Sequence, residues 1–236
     1  MKRAIAVILL VLLADQGLKV WVKLHFSLGE FIPADINSKY MLHFIENDGM
    51  AFGMKFGGES GKLLLTLLRI AAVIGIGYAL RRMVRSGAGK WHVVSVALVF
   101  AGALGNIIDS TFYGLLFDKG SVWDPIAEHT VTYGGLAQLD FSGYAPLFHG
   151  SVVDMLHLPL WRGTLPEWIP FVGGDYFEFF EPVFNIADTA ITVGIALFIL
   201  TQRKQRQKAN ADSATEEPAT GVAADVVSGV ASADPL

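Results

Sequence analysis

Four stretches of this 236-residue chain, about 4-24, 63-80, 92-109 and 183-201, are apolar and long enough to cross a bilayer. A hydrocarbon core of about 30 Å takes about 20 residues of helix, at about 1.5 Å rise each. No water reaches that core to satisfy backbone N–H and C=O groups, so an isolated apolar span must be helical. The sequence therefore predicts an all-α membrane protein built as a four-transmembrane-helix bundle. Composition agrees: 17% of residues are charged, against about 25% in soluble domains. The basic start Met1-Lys2-Arg3 also fits a cleaved secretory signal. No small-x-small site follows it, however, and the run continues through Asp15, Lys19 and Trp21, which favours a retained span.

Lys2 and Arg3 precede the first span, Arg81, Arg82, Arg85 and Lys90 fill the link between the second and third, and Arg203, Lys204, Arg206 and Lys208 follow the fourth. With four spans all of these bases fall on one side, which the positive-inside rule makes cytoplasmic. Both termini are then cytoplasmic, and segments 25-62 and 110-182 face outward. In the first outer segment Tyr40, Leu42 and Phe44 alternate with Met41, His43 and Ile45, followed by Asn47-Asp48-Gly49 and then Met50, Phe52, Met54 and Phe56. That pattern predicts a β-hairpin on an Asp-Gly turn. The second outer segment gathers Trp161, Trp168, Phe171, Tyr176, Phe177, Phe179 and Phe180 just before the last span, where aromatics suit the headgroup region. Residues 1-208 make one membrane domain. Residues 209-236 hold Asp212, Glu216, Glu217, Asp225 and Asp234 with no base and no aromatic, a composition expected of a disordered cytoplasmic tail. Without that tail 17 acids face 18 bases, so no charge excess points to nucleic acid.

The chain has no cysteine, which excludes disulfides, thiolate metal sites and a cysteine nucleophile. It also lacks a Gly-x-Ser-x-Gly elbow, a His-Glu-x-x-His zinc helix and a Gly-rich phosphate loop. His149 and His157 flank Asp154, but at no established metal spacing, so neither a metal nor an organic cofactor is expected. What remains is carboxylate and amide chemistry, and here the spans are informative. A charge at mid-membrane costs about 2.5-3.5 kcal/mol on insertion scales and normally faces protein or water. Asp15 shares one helical face with Lys19 and Lys23, an arrangement that suits a structural pair. Arg69 is the single charge of the second span. Gly102, Asn106 and Asp109 share a face of the third, as an interhelical clasp would. Asn185 and Asp188 share a face at the start of the fourth, and Asp154 lies within the apolar strip Val152-Val153-Asp154-Met155. Two aspartates in apolar surroundings suit an aspartic-peptidase dyad, in which like charges split the pair's acidities so that one carboxylate is ionised while the other keeps its proton. Separate structural roles are the alternative, and the residues alone leave both open.

Taken in order, Asp15-Gln16-x-x-Lys19, Asn47-x-Gly49-x-Ala51-Phe52-Gly53, Gly102-Ala103-x-Gly105-Asn106-x-x-Asp109, Val152-Val153-Asp154 and Phe184-Asn185-x-Ala187-Asp188 on a four-span frame resemble the bacterial lipoprotein signal peptidases, or signal peptidases II. The resemblance runs from residue 15 to 188. It implies an aspartic endopeptidase of the bacterial inner membrane, a multi-pass protein with its active site near the outer leaflet. Its substrates would be diacylglyceryl-modified prolipoproteins, cut N-terminal to the lipidated cysteine, and its surroundings membrane phospholipid. It further implies Asp154 and Asp188 as the catalytic pair, and Asp15, Lys19, Asn47, Gly49, Asn106, Asp109 and Asn185 as substrate-binding or dyad-supporting residues. A small extracytoplasmic β-cradle, a monomer and no cofactor complete the expectation.

Two departures stand out. The family commonly has an arginine directly after the aspartate of the third motif, where this chain has Ser110; Arg69 and Arg162 are the arginines that the topology puts near the outer side. The stretch from Asp109 to Asp154 is also longer than usual, with an insert around 115-146 that holds Trp123, Tyr133 and Tyr144 and reads as a lid, a partner surface or a long loop. Rival functions are a proton-coupled carrier with a relay through Asp15, Asp109 and Asp188, and a non-catalytic membrane assembly factor.

Overall fold

A computed structural model describes residues 1-33, 39-47, 58-124, 126-127 and 129-215. Four helices in it are long and apolar enough to cross a membrane, over Lys2–His25, Ser60–Arg85, Lys90–Leu116 and Ile186–Gln207. They belong to α1 (Lys2–His25), α2 (Gly58–Arg85), α3 (Lys90–Ile108) and α5 (Ile186–Thr215), with the short α4 (Gly114–Leu116) continuing the third span. Between α3 and α4 the helix loosens into a π-helical turn, Asp109–Tyr113. Such turns occur often at functional sites, and this one begins at Asp109.

The bundle is polar within and apolar without. In α1 the buried residues are Ala4, Asp15, Lys19, Val22 and Lys23, whereas Leu9, Leu10 and Leu13 point outward. In α2 Leu64, Leu68, Ile74 and Tyr78 do the same. A helix facing lipid has no reason to hide leucine, and it must hide charge. Close approach between α3 and α5 rests on glycine, since a Cβ on Gly102 would lie 2.2 Å from the Ala187 carbonyl oxygen. Small residues serve this purpose where lipid offers no hydrophobic drive for helix association. Gly102→Ala is therefore expected to cost about 1-3 kcal/mol by forcing the two helices apart, read as a lower unfolding temperature in detergent.

The strands are β1 (Phe31–Ile32), β2 (Met41–Asn47), β3 (Val122–Asp124), β4 (His129–Val131), β5 (Val152–His157), β6 (Trp161–Thr164), β7 (Tyr176–Phe179) and β8 (Val183–Phe184). A four-stranded sheet in the order β1-β2-β5-β8 sits at one end of the bundle, and β3-β4 and β6-β7 form separate ribbons. At the opposite end Lys2, Arg3 and Lys90 line one cleft together. The β content exceeds the expected hairpin. The described partners of β2 are β1 and β5, while the predicted Asp-Gly turn and second hairpin strand fall outside the described residues. The span boundaries move as well, most of them outward. The fourth span starts at Ile186 rather than 183, because Val183–Phe184 pair with β5 and Asn185 caps the helix. Its helix also runs past 208 to Thr215, since Gln207, Lys208 and Ala209 are good helix formers.

Candidate active site

The local sequence of α5 explains its first turn. Asn185 and Asp188 form a reciprocal cap: the Asp188 N–H donates to Asn185 Oδ1 at 2.9 Å, and the Asn185 N–H donates to Asp188 Oδ2 at 3.4 Å. This is the capping-box arrangement with an aspartate in the third helical position. It leaves the Asn185 amide group free to reach other elements. Its Nδ2 donates to Asp154 Oδ1 at 2.6 Å, to Asn106 Oδ1 at 3.1 Å and to the Val153 carbonyl at 3.3 Å. Asn106 in turn donates to Asp188 Oδ1 at 2.8 Å. Thus β5, α5 and α3 bring Asp154, Asp188, Asn185 and Asn106 into one cluster.

Asp154 has its second oxygen held from the sheet, where Asn47 Nδ2 donates to Oδ2 at 3.3 Å. The register of β2 on β5, with Asn47 opposite Val152 and Ile45 opposite Asp154, makes that reach short. Asp154 is 3% exposed. Burial, and next the nearby charge of Asp188, push its pKa up to about 7 against the opposing pull of Lys19 and of the two asparagine amides. Desolvation and a like charge both disfavour the ionised carboxylate. Asp188 is only half-buried, so the pair opens on one side.

Beneath the pair lies a fully buried ionic layer. Lys19 Nζ contacts Asp109 Oδ2 at 2.7 Å and Asp15 Oδ2 at 3.0 Å, and donates to Asn106 Oδ1 at 2.8 Å. Asp15 accepts the Ala187 N–H at 2.8 Å, and Asp109 accepts the Val153 N–H at 3.3 Å. The expected Asp15–Lys19 pair is present, and the expected clasp through Asn106 and Asp109 extends it to α5 and β5. Gln16 was not singled out from the sequence. Its Nε2 donates to Asp109 Oδ1 at 2.8 Å while its Oε1 accepts from Tyr113 at 3.1 Å; its place in the Asp15-Gln16 motif was the available signal. Gly49 lies outside the described residues.

Ser110 occupies its position inward, 3% exposed, with its hydroxyl donating to the Asn106 carbonyl at 3.1 Å. Of the two arginines that the topology offered, Arg162 is committed to Glu178 at 2.8 Å on the β6-β7 ribbon. Arg69 stands in the field of Asp188, Asp154 and Asp109. Among the described residues no cluster of three or more histidine, aspartate or glutamate side chains is arranged to hold a metal.

The chain matches the signal peptidase (SPase) II family over residues 7-203. The chain belongs to the signal peptidase II family. It is 42% identical over 198 residues to the lipoprotein signal peptidase of Porphyromonas gingivalis, covering 83% of this chain and 80% of the relative. It is 36% identical over 204 residues to that of Amoebophilus asiaticus, covering 85% of this chain and 77% of the relative. Among solved structures, a bacterial membrane enzyme determined by the in meso method at 2.3 Å resolution matches with a TM-score of 0.53 and 20% identity, over 94% of this chain and 96% of that one. That likeness speaks for the fold. Within a signal peptidase II frame, the paired carboxylates at the sheet end of the bundle acquire a chemical context.

Proposed function

We propose that this member of the signal peptidase II family removes signal peptides from diacylglyceryl-modified prolipoproteins, cutting N-terminal to the lipidated cysteine, with Asp154 and Asp188 as its catalytic pair. The observation that carries the reading is the convergence of the two aspartates on the amides of Asn185 and Asn106. One ionised carboxylate takes a proton from water, which attacks the scissile carbonyl. The protonated partner donates to that carbonyl oxygen and then protonates the leaving amine. Asn47 and Asn185 fix Asp154, while Asn106 fixes Asp188. The Asp15, Lys19 and Asp109 layer holds the elements that present them. The protein sits in the bacterial inner membrane as a monomer with both termini cytoplasmic and the pair near the outer leaflet. There the substrate's acyl chains stay in phospholipid while water arrives from outside.

The test is cleavage of a diacylglyceryl-modified prolipoprotein by the purified protein in lipid, compared with the same polypeptide lacking the lipid. Cutting before the lipidated cysteine of the first substrate alone supports the reading; equal cutting of both, or of neither, sinks it. A second expectation concerns acidity. The rate should fall on both sides of an optimum, because doubly protonated and doubly ionised pairs both fail. With Asp154 near 7, the alkaline limb should lie at about pH 7. A profile of kcat/KM that stays flat from about pH 5 to about pH 9 would contradict a carboxylate pair.

A further inference from the structure

Phe117, Ser121, Tyr133 and Tyr144 of segment 115-146 pack into the wall behind Asp154. Glu46, which directly precedes Asn47, is completely buried at its side chain and ion-paired with Lys23 of α1. Tyr133 of the segment donates its hydroxyl to Glu46 Oε1 at 3.1 Å, and the Ser121 N–H donates to Glu46 Oε2 at 2.6 Å. The Lys23 ammonium lies 5.0, 5.1 and 5.2 Å from the rings of Phe117, Tyr133 and Tyr144. A desolvated cation over aromatic faces is held more firmly than one in water.

The same segment grips the other strand. The Ser121 carbonyl accepts from Ser151 Oγ at 3.0 Å, and the Ser151 N–H donates to the Tyr144 hydroxyl at 2.9 Å. Ser121 is 1% exposed, and a Cβ on Gly120 would lie 2.1 Å from the Tyr144 ring. One backbone unit therefore ties the end of β2, beside Asn47, to the start of β5, which carries Asp154.

We propose that segment 115-146 is an internal brace for Asp154, with Tyr133 as a positioning residue acting through Glu46 and Asn47. Neither a lid nor a partner surface would bury its polar contacts against the backs of these two strands. The inference rests on Asp154 belonging to the catalytic pair.

Tyr133→Phe removes the hydroxyl and keeps the ring over Lys23. Losing a hydrogen bond to a buried carboxylate should lower kcat by about three- to tenfold with KM unchanged. It should also move the alkaline limb to higher pH, because a less firmly placed Asn47 stabilises ionised Asp154 less well. The other charges facing Asp154, namely Asp188 of α5, Lys19 of α1 and Arg69 of α2, are untouched by the substitution, as is Asp109 of the π-helical turn, the partner of Lys19. Asn47→Ala should shift the limb in the same direction and further. In the Asn47→Ala background, Tyr133→Phe should then add no further loss of kcat, since two substitutions acting through one contact are not additive. Independent, multiplying losses, or a Tyr133→Phe enzyme with full kcat and an unmoved profile, overturn the brace. Asp154→Asn measured alongside separates the two readings: an active Asp154→Asn enzyme refutes the catalytic pair, whereas an inert one with a silent Tyr133→Phe refutes the brace alone.

Discussion

Replacing Asp188 with asparagine is expected to lower kcat by about 10³-fold or more, while the protein folds as before. The substitution nearly keeps the shape, and an asparagine oxygen still accepts from Asn106 Nδ2 in place of Asp188 Oδ1. What is lost is the titratable proton and the long 3.4 Å bond from the Asn185 N–H to Asp188 Oδ2. Asp154 is the less clean site for this test, because it is the more buried and both of its oxygens accept side-chain amide donors, from Asn185 at 2.6 Å and Asn47 at 3.3 Å. An asparagine there would turn its own NH2 against one of them. Single-turnover cleavage of a lipidated substrate by Asp188→Asn, with unfolding temperature as the control, decides the matter. A folded variant that keeps kcat within about tenfold of wild type would assign the chemistry to another group.

The largest stability effect should come from Lys19→Met. Lys19 is 0% exposed and serves Asp15, Asp109 and Asn106 at once. Taking it away leaves two buried carboxylates facing each other without a cation, and breaking a buried pair in this way costs about 3-5 kcal/mol. For a protein of this size that corresponds to a fall of about 10 °C or more in unfolding temperature. Adding Asp109→Asn to Lys19→Met should recover part of the loss, because one of the orphaned charges is then gone. Equal stability of the single and double variants would show that the layer is solvated and contributes little.

Much of this architecture was legible in the sequence. Apolar length locates the spans, and the cost of charge in lipid picks out Asp15, Lys19, Arg69, Asp109 and Asp188 as residues that must face inward. Helical spacing correctly puts Asn106 with Asp109 and Asn185 with Asp188. Spacing cannot reach across elements. The Asn47–Asp154 contact joins residues 107 positions apart, and it depends on a β2–β5 register that no local pattern fixes. The β6-β7 ribbon escaped notice because Trp161-Arg162-Gly163-Thr164 lacks apolar alternation. Glu46 escaped for a different reason. A lone acid on a short strand resembles a solvated edge residue until its buried lysine partner is seen.

The bond between the Asp15 carboxylate and the Ala187 N–H spans 172 residues, nearly the whole distance from the first span to the last. α1 precedes its partners in the chain, so Asp15, Lys19 and Lys23 are synthesised before Glu46, Asn106, Asp109 or Ala187. Asp15 and Lys19 pair within α1, but their layer is complete only once Asp109 and Ala187 have been added. A chain that stops short of Ala187 consequently lacks both that closing bond and the aspartate at 188.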